Sequence, residues 1–261
     1  MTPQLDQTSG RRRHARYWFT VSFRSCGIIA TFLCVVFAFV SYRVAQMRRE
    51  AEASLRCEAL GGRVAFYPMN TAEKWISSLF CRKYRGHVSE LDLGGPEIGD
   101  HELRCLADMK QLRRVYISDS KASDATLSQI QGLSQLEILE AAATEISDSG
   151  LVYVASCPRL IVLDLSGTKI GDKGLLLLFH ASRLRDLEVG GTHVTDDGVK
   201  SLASLANLER LVLCDSKVSD VSLEYCKRFP NLRELVVSGT YVSSEGASEF
   251  QKRVPQVTVY H

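Results

Sequence analysis

Residues 184–199 read Leu-Arg-Asp-Leu-Glu-Val-Gly-Gly-Thr-His-Val-Thr-Asp-Asp-Gly-Val. Leu187 and Val189 alternate with Asp186 and Glu188, the two-residue period of a short strand with one buried face. Gly190-Gly191 permits a tight turn, and the hydroxyl of Thr192 can bond backbone groups within it. Thr195 or Asp196 can cap a following helix, whose apolar stripe is Val199, Leu202 and Leu205. A strand, a turn and a helix of this size cannot bury a core alone, so the phrase predicts stacking against copies of itself.

The copies are present. An apolar L-x-x-L-x-L frame opens at positions 88, 112, 136, 160, 184, 208 and 232, every step 24 residues without insertion. Eight residues into each unit stands a hydroxyl column: Ser120, Thr144, Thr168, Thr192, Ser216 and Thr240, with Pro96 in the first unit. Twelve residues in stands Asp100, Asp124, Asp148, Asp172, Asp196 and Asp220, with Ser244 in the last. Leu103, Leu127, Leu151, Leu175, Val199, Leu223 and Ala247 then open the helical stripe. This pattern, L-x-x-L-x-L-x-x-(T/S)-x-(I/V) followed by D-x-G-L, resembles the leucine-rich-repeat family, in the form found in membrane-anchored bacterial members. The resemblance covers about residues 85–261. It implies an α/β leucine-rich-repeat solenoid, a horseshoe with parallel strands on the concave side and helices on the convex side, and is almost silent on activity. Pro255–Val259 resembles the opening of an eighth unit and is expected to cap the C-terminal end as a strand.

Upstream of the repeats, residues 25–42 hold no charged side chain. As a helix they are roughly 27 Å long, close to the thickness of a bilayer core. Arg24 and Arg43 bracket the run, and Tyr17, Trp18 and Tyr42 stand where interfacial aromatics belong. A core helix would carry polar positions at helical spacing, and Phe39–Arg43 offers no good cleavage site. The features favour a single uncleaved transmembrane helix. Arg11, Arg12, Arg13, Arg16 and Arg24 precede the span; Arg43, Arg48, Arg49 and Arg56 follow it, diluted by Glu50, Glu52 and Glu58. That margin of five to four places the N-terminus in the cytoplasm and the repeats outside it. The expected organisation is a basic cytoplasmic tail (1–24), a transmembrane helix in the bilayer (25–42), a juxtamembrane helix and N-terminal cap (43–87), and the repeat domain (88–261). Within the cap, a charged helix ends at Gly61-Gly62, Arg63–Tyr67 forms a strand, and Thr71–Arg82 forms a helix with Trp75, Ile76, Leu79 and Phe80 on its apolar side.

The net charge of +2 conceals this division. Residues 1–89 carry 14 basic and 5 acidic side chains, giving +9; residues 90–261 carry 18 and 25, giving −7. The basic end suits anionic lipid, and the acidic repeats would repel phosphate, so no nucleic-acid partner is expected.

Of eight cysteines, Cys26 and Cys34 lie in the apolar run, and Cys105, Cys157 and Cys226 fall at repeat positions suited to core packing. Cys57 and Cys81 both lie in the cap, either as a disulfide or as two buried thiols. The six histidines share no repeat position, and no zinc, P-loop, G-x-S-x-G or kinase pattern occurs. No catalytic residue, metal or cofactor is expected. An enzyme is the least favoured class; an adaptor or substrate-receptor scaffold and a structural envelope protein are alternatives to a ligand-binding module.

A ligand would meet the residues between the buried positions of each strand. They include Glu90, Asp92, Arg114, Tyr116, Glu140, Asp164, Asp186, Glu188, Arg210 and Glu234, and, seven residues into each unit, a column containing Asp119 and Asp215. Acids dominate, with Tyr116, Ile138, Val162, Val212 and Val236 as apolar anchors. The expected partner is a basic or mixed basic-apolar protein or peptide, with the binding column centred on Asp164, Asp186 and Glu188.

Overall fold

The computed structural model describes residues 23–261, with side chains described from residue 28. The tail through Arg11–Arg13 and Trp18 lies outside the described residues, as does the side chain of Cys26. The described residues fall into two units, divided between Arg43 and Val44. The described part of the first belongs to helix α1 (Phe23–Ala59), almost wholly exposed between Ile28 and Tyr42. It is the one helix among the described residues long and apolar enough to cross a membrane.

The second unit is a solenoid of 24-residue strand–helix repeats built on one nine-stranded sheet in chain order. Strands β2 (His87–Asp92), β3 (Arg114–Tyr116), β4 (Ile138–Glu140), β5 (Val162–Asp164), β6 (Asp186–Glu188), β7 (Arg210–Val212), β8 (Glu234–Val236) and β9 (Thr258–Tyr260) pair in parallel. Each pairing from β2 to β9 joins residues 24 apart, so the sequence period is the sheet register. The central residue of each repeat strand, Leu91 through Leu235, is fully buried. Between the strands, short helices back the sheet: α3 (Asp124–Gln129), α4 (Leu151–Val154), α5 (Asp172–Leu177), α6 (Asp196–Ser201), α7 (Asp220–Cys226) and α8 (Ser244–Arg253). The first repeat has a 3-10 helix instead, Glu102–Asp108. Leu103, Leu127, Leu151, Leu175 and Val199 are all sealed between sheet and helices.

The Asp column acts between units, not within its own. Asp172 accepts from the backbone N–H of Thr195 at 2.8 Å and from its hydroxyl at 2.7 Å; Asp124 does the same for Ser147 and Asp220 for Ser243. Each carboxylate therefore fixes the helix N-cap of the next unit. The glycine two residues beyond the next unit's Asp makes room for it: a Cβ at Gly174 would stand 2.5 Å from an oxygen of Asp148. Where that glycine is absent, Thr126 and Ser222 donate hydroxyl bonds to Asp100 and Asp196. The hydroxyl column, by contrast, stays within its own unit: Thr192 donates to the carbonyl of Val189 at 2.6 Å. The bonds from one unit to the next come from the backbone, such as Gly167 N–H to Gly190 C=O at 2.7 Å, and from the aspartates.

At the N-terminal end, β1 (Arg63–Tyr67) pairs antiparallel with β2, and α2 (Thr71–Phe80) follows it. Asn70 and Glu73 form a reciprocal capping box on α2. The expected apolar side of α2 is largely turned outward: of its four residues Ile76 is half-buried and packs beside Met47 and Tyr84, whereas Trp75, Leu79 and Phe80 are exposed, Trp75 by 65%, and Glu73 and Ser77 are buried instead. The reason is polar. Glu73 faces inward to meet His87 Nε2 at 3.0 Å, and Glu50 of α1 meets His87 Nδ1 at 3.2 Å. Glu50, read from sequence as a flanking charge, is 2% exposed and also accepts from the N–H of Val88 at 2.7 Å.

Candidate functional site

In-register parallel pairing turns the outward strand positions into two rows. Glu90, Arg114, Ile138, Val162, Asp186, Arg210 and Glu234 form one; Asp92, Tyr116, Glu140, Asp164, Glu188, Val212 and Val236 form the other. Neighbouring strands lie about 4.8 Å apart, so Glu140, Asp164 and Glu188 are three adjacent carboxylates, an arrangement that destabilises a sheet by like-charge repulsion.

The acids of the expected centre divide into two groups. Arg210 occupies the first: its Nη1 is 3.1 Å from Asp186 and also bonds Glu188, and its Nε is 3.1 Å from Glu234. Arg114 pairs with Glu90 at 3.2 Å. Among the described residues no ion pair engages Asp92, Glu140 or Asp164. Burial raises the Glu140 carboxyl above the ordinary carboxylate range, and repulsion from Asp164, Glu188, Asp186 and Asp92 adds to it. Burial also raises Asp186, against the pull of Arg210. Tyr116 sits between Asp92 and Glu140 in the same row, its phenol held above its usual range by burial and by Glu90 and Glu140. A cavity of about 430 Å³ opens here, lined by Asp92, Tyr116, Ser118, Asp119 and Glu140.

The seventh-position column plays another part. Gly95, Asp119, Ala143, Gly167, Gly191, Asp215 and Gly239 all have positive φ, Ala143 at 52° and Asp215 at 54°. These residues turn the chain out of each strand. Asp215 packs its carboxylate against Gly239, in the space a Cβ there would need. Of this column, Gly95 and Asp119 reach the cavity wall.

Cys57 and Cys81 are both free thiols in separate cores: Cys81 packs with Met47, Ala51 and Tyr84, while the Sγ of Cys57 lies 3.0 Å from that of Cys105. Cys105, expected in the core, is half-buried.

Position within the repeat predicted which residues face outward, except that Val212, expected as an apolar anchor on that face, is buried; it did not predict which acids already hold a cation. That signal was present in the 24-residue spacing of Asp186, Arg210 and Glu234, which alternates acid, base and acid along one row.

Two of the units, residues 156–179 and 180–203, match the family model described as Leucine Rich repeat. Over these two units the chain is similar to leucine-rich repeats. Among solved structures, internalin C2 from Listeria monocytogenes is similar at 19% identity over 66% of this chain and 80% of that one, with a TM-score of 0.47. Comparison with curated proteins gives no significant match.

Proposed function

We propose that this chain is a non-enzymatic, single-pass membrane protein whose solenoid binds a basic or mixed basic-apolar protein or peptide on the open face of its sheet. The observation that carries the reading is the row Asp92–Tyr116–Glu140–Asp164: carboxylates without a cation, adjacent across strands, around an aromatic ring and a cavity. Repulsion that weakens the free sheet is relieved when a Lys or Arg side chain enters, so binding gains what folding gave up. Tyr116 supplies a rigid amphipathic anchor at its centre. The partner's first contact is with this row; Asp186, Glu188 and Glu234 are engaged by Arg210 and shape its edge.

Membrane attachment rests on the exposed apolar stretch Ile28–Tyr42, which no core covers among the described residues. The excess of arginines before it orients the N-terminus to the cytoplasm and the solenoid to the other side.

The test places a photo-crosslinking amino acid at Tyr116 in the full chain, in intact cells. Adducts are expected, and they should disappear on charge reversal at Glu140 and Asp164 or when salt is raised. No adducts, or adducts indifferent to both changes, would place the site elsewhere. External protease should digest the repeats of intact cells; resistance would reverse the topology.

A further inference from the structure

We propose that Cys57 and Cys105 form a disulfide-forming pair that staples the end of helix α1 to the first repeat. Three observations converge on these two sulfurs and do not depend on what the sheet binds. Their Sγ atoms stand 3.0 Å apart, so closing the bond requires a movement of about 1 Å. The two residues belong to elements that meet only by folding: Cys57 to the last turn of α1, Cys105 to the 3-10 helix of the first repeat. Cys57 is held in place by the turn that ends α1, in which its carbonyl accepts from Leu60 at 3.2 Å and from Gly62 at 2.9 Å. Gly62 is required there, because a Cβ would stand 2.9 Å from that same carbonyl oxygen and 2.8 Å from Leu93.

The two thiols are also differentiated. Cys57 is fully buried, whereas Cys105 is half-buried and lines a cavity of about 460 Å³ with Arg56, Leu60, His101 and Arg104. A thiol reagent can therefore reach Cys105 first. The hydrogen bond the two sulfurs share, in which either can donate, holds the Cys105 thiol below its usual range in spite of burial; with its accessibility, this favours Cys105 as the attacking thiolate.

The oxidant is an external disulfide, R–S–S–R, of the glutathione or thiol–disulfide oxidoreductase class. The Cys105 thiolate attacks one of its sulfurs, forms a Cys105–S–S–R mixed disulfide and releases one RS⁻. The Cys57 thiol then loses its proton and attacks the Cys105 sulfur, and the second RS⁻ leaves. Two electrons pass to the oxidant, and the two thiol protons end on two RSH. The product closes a loop between residues 48 positions apart and fixes α1 to the repeats covalently.

Trypsin cuts before both cysteines, giving Cys57–Arg63 and Cys105–Lys110. The full chain in detergent is treated with oxidised glutathione, alkylated, and digested without reductant. The expected result is a linked pair of these two peptides, two hydrogens lighter than their sum, absent after reduction. It should persist in Cys81→Ser and be lost in Cys105→Ser. Alkyl groups on both peptides after oxidation, glutathione adducts alone, or Cys57 linked to any other cysteine would overturn the proposal. The wild-type and Cys81→Ser digests decide it even if Cys105→Ser does not fold.

Discussion

Asp196→Ala tests whether the aspartate column holds neighbouring units together. Asp196 accepts from the N–H of Ser219 at 2.8 Å, from the Ser219 hydroxyl at 2.6 Å, and from the Ser222 hydroxyl. Hydrogen bonds to a charged group contribute about 1.5–3 kcal/mol each, but they are not additive. Ser219 is half-buried, so water recovers part of what its N–H loses. The expected loss is about 2–3 kcal/mol, or on the order of 5–10 °C in unfolding midpoint for a unit of this size. Asp197→Ala is the matched control. Asp197 is exposed one residue away, and its removal forfeits only its charge at the helix N-terminus, about 0.3–1 kcal/mol. Hydrogen exchange adds the location: protection should fall in α7 and at the boundary of the two units before it falls elsewhere. Acid should imitate the mutation. Burial pushes the Asp196 carboxyl up, but the donors from Ser219 and Ser222 more than offset this and hold it below the ordinary range. Its stabilisation is therefore complete above the unfolded carboxyl's value and is lost as pH falls through the lower folded value. Equal losses for Asp196→Ala and Asp197→Ala would refute the inter-unit role.

Two further changes follow from other features. Ala143 holds a left-handed φ of 52° in a turn where four of the seven units carry glycine, and its methyl is exposed. Ala143→Gly should raise stability by about 0.5–1 kcal/mol in thermal unfolding, since relief of backbone strain exceeds the added unfolded-state entropy; a lower midpoint would show that the turn is unstrained. His87, bonded by Glu50 and Glu73, has its pKa raised chiefly by Glu50, with burial opposing. Its stabilisation is complete below the unfolded imidazole's value of about 6.5 and is lost as pH rises through the folded value. The unfolding midpoint should therefore fall from mildly acid to alkaline pH in wild type and fall less in His87→Gln. A wild-type midpoint rising over that range would exclude the charged His87.

The repeat was legible because one period governs everything within it. Position 187 is buried for the same reason as 163 and 211, so hydropathy gives strand, face and register together. The cap has no period to support it. Helix α2 carries an apolar stripe whose natural reading faces it inward, yet the pairing of Glu73 with His87 turns the Glu73 side of the helix toward the protein. The partner of Cys57 was hidden for a related reason. Cys105 occupies a helical position like many others, and only the docking of α1 against the first repeat sets it apart. In the acidic face, the outward positions were readable, but lateral neighbours had to be placed 24 residues apart before Arg210 could be seen to satisfy three acids and leave Asp92, Glu140 and Asp164 without a cation.

The aspartate bonds span 23 residues at every boundary, always from a carboxylate to the first capped turn of the unit after it. Each interior unit thus carries a matching half of two like joints. Excising residues 149–172 would bring Asp148 to Thr195 in place of Gly171, with the fitting intact and a hydroxyl donor gained. Recombination between misaligned copies can then lengthen or shorten the array in whole units without redesigning a single interface. The number of repeats becomes something that genetic drift and selection can vary freely, while the chemistry that joins them stays fixed.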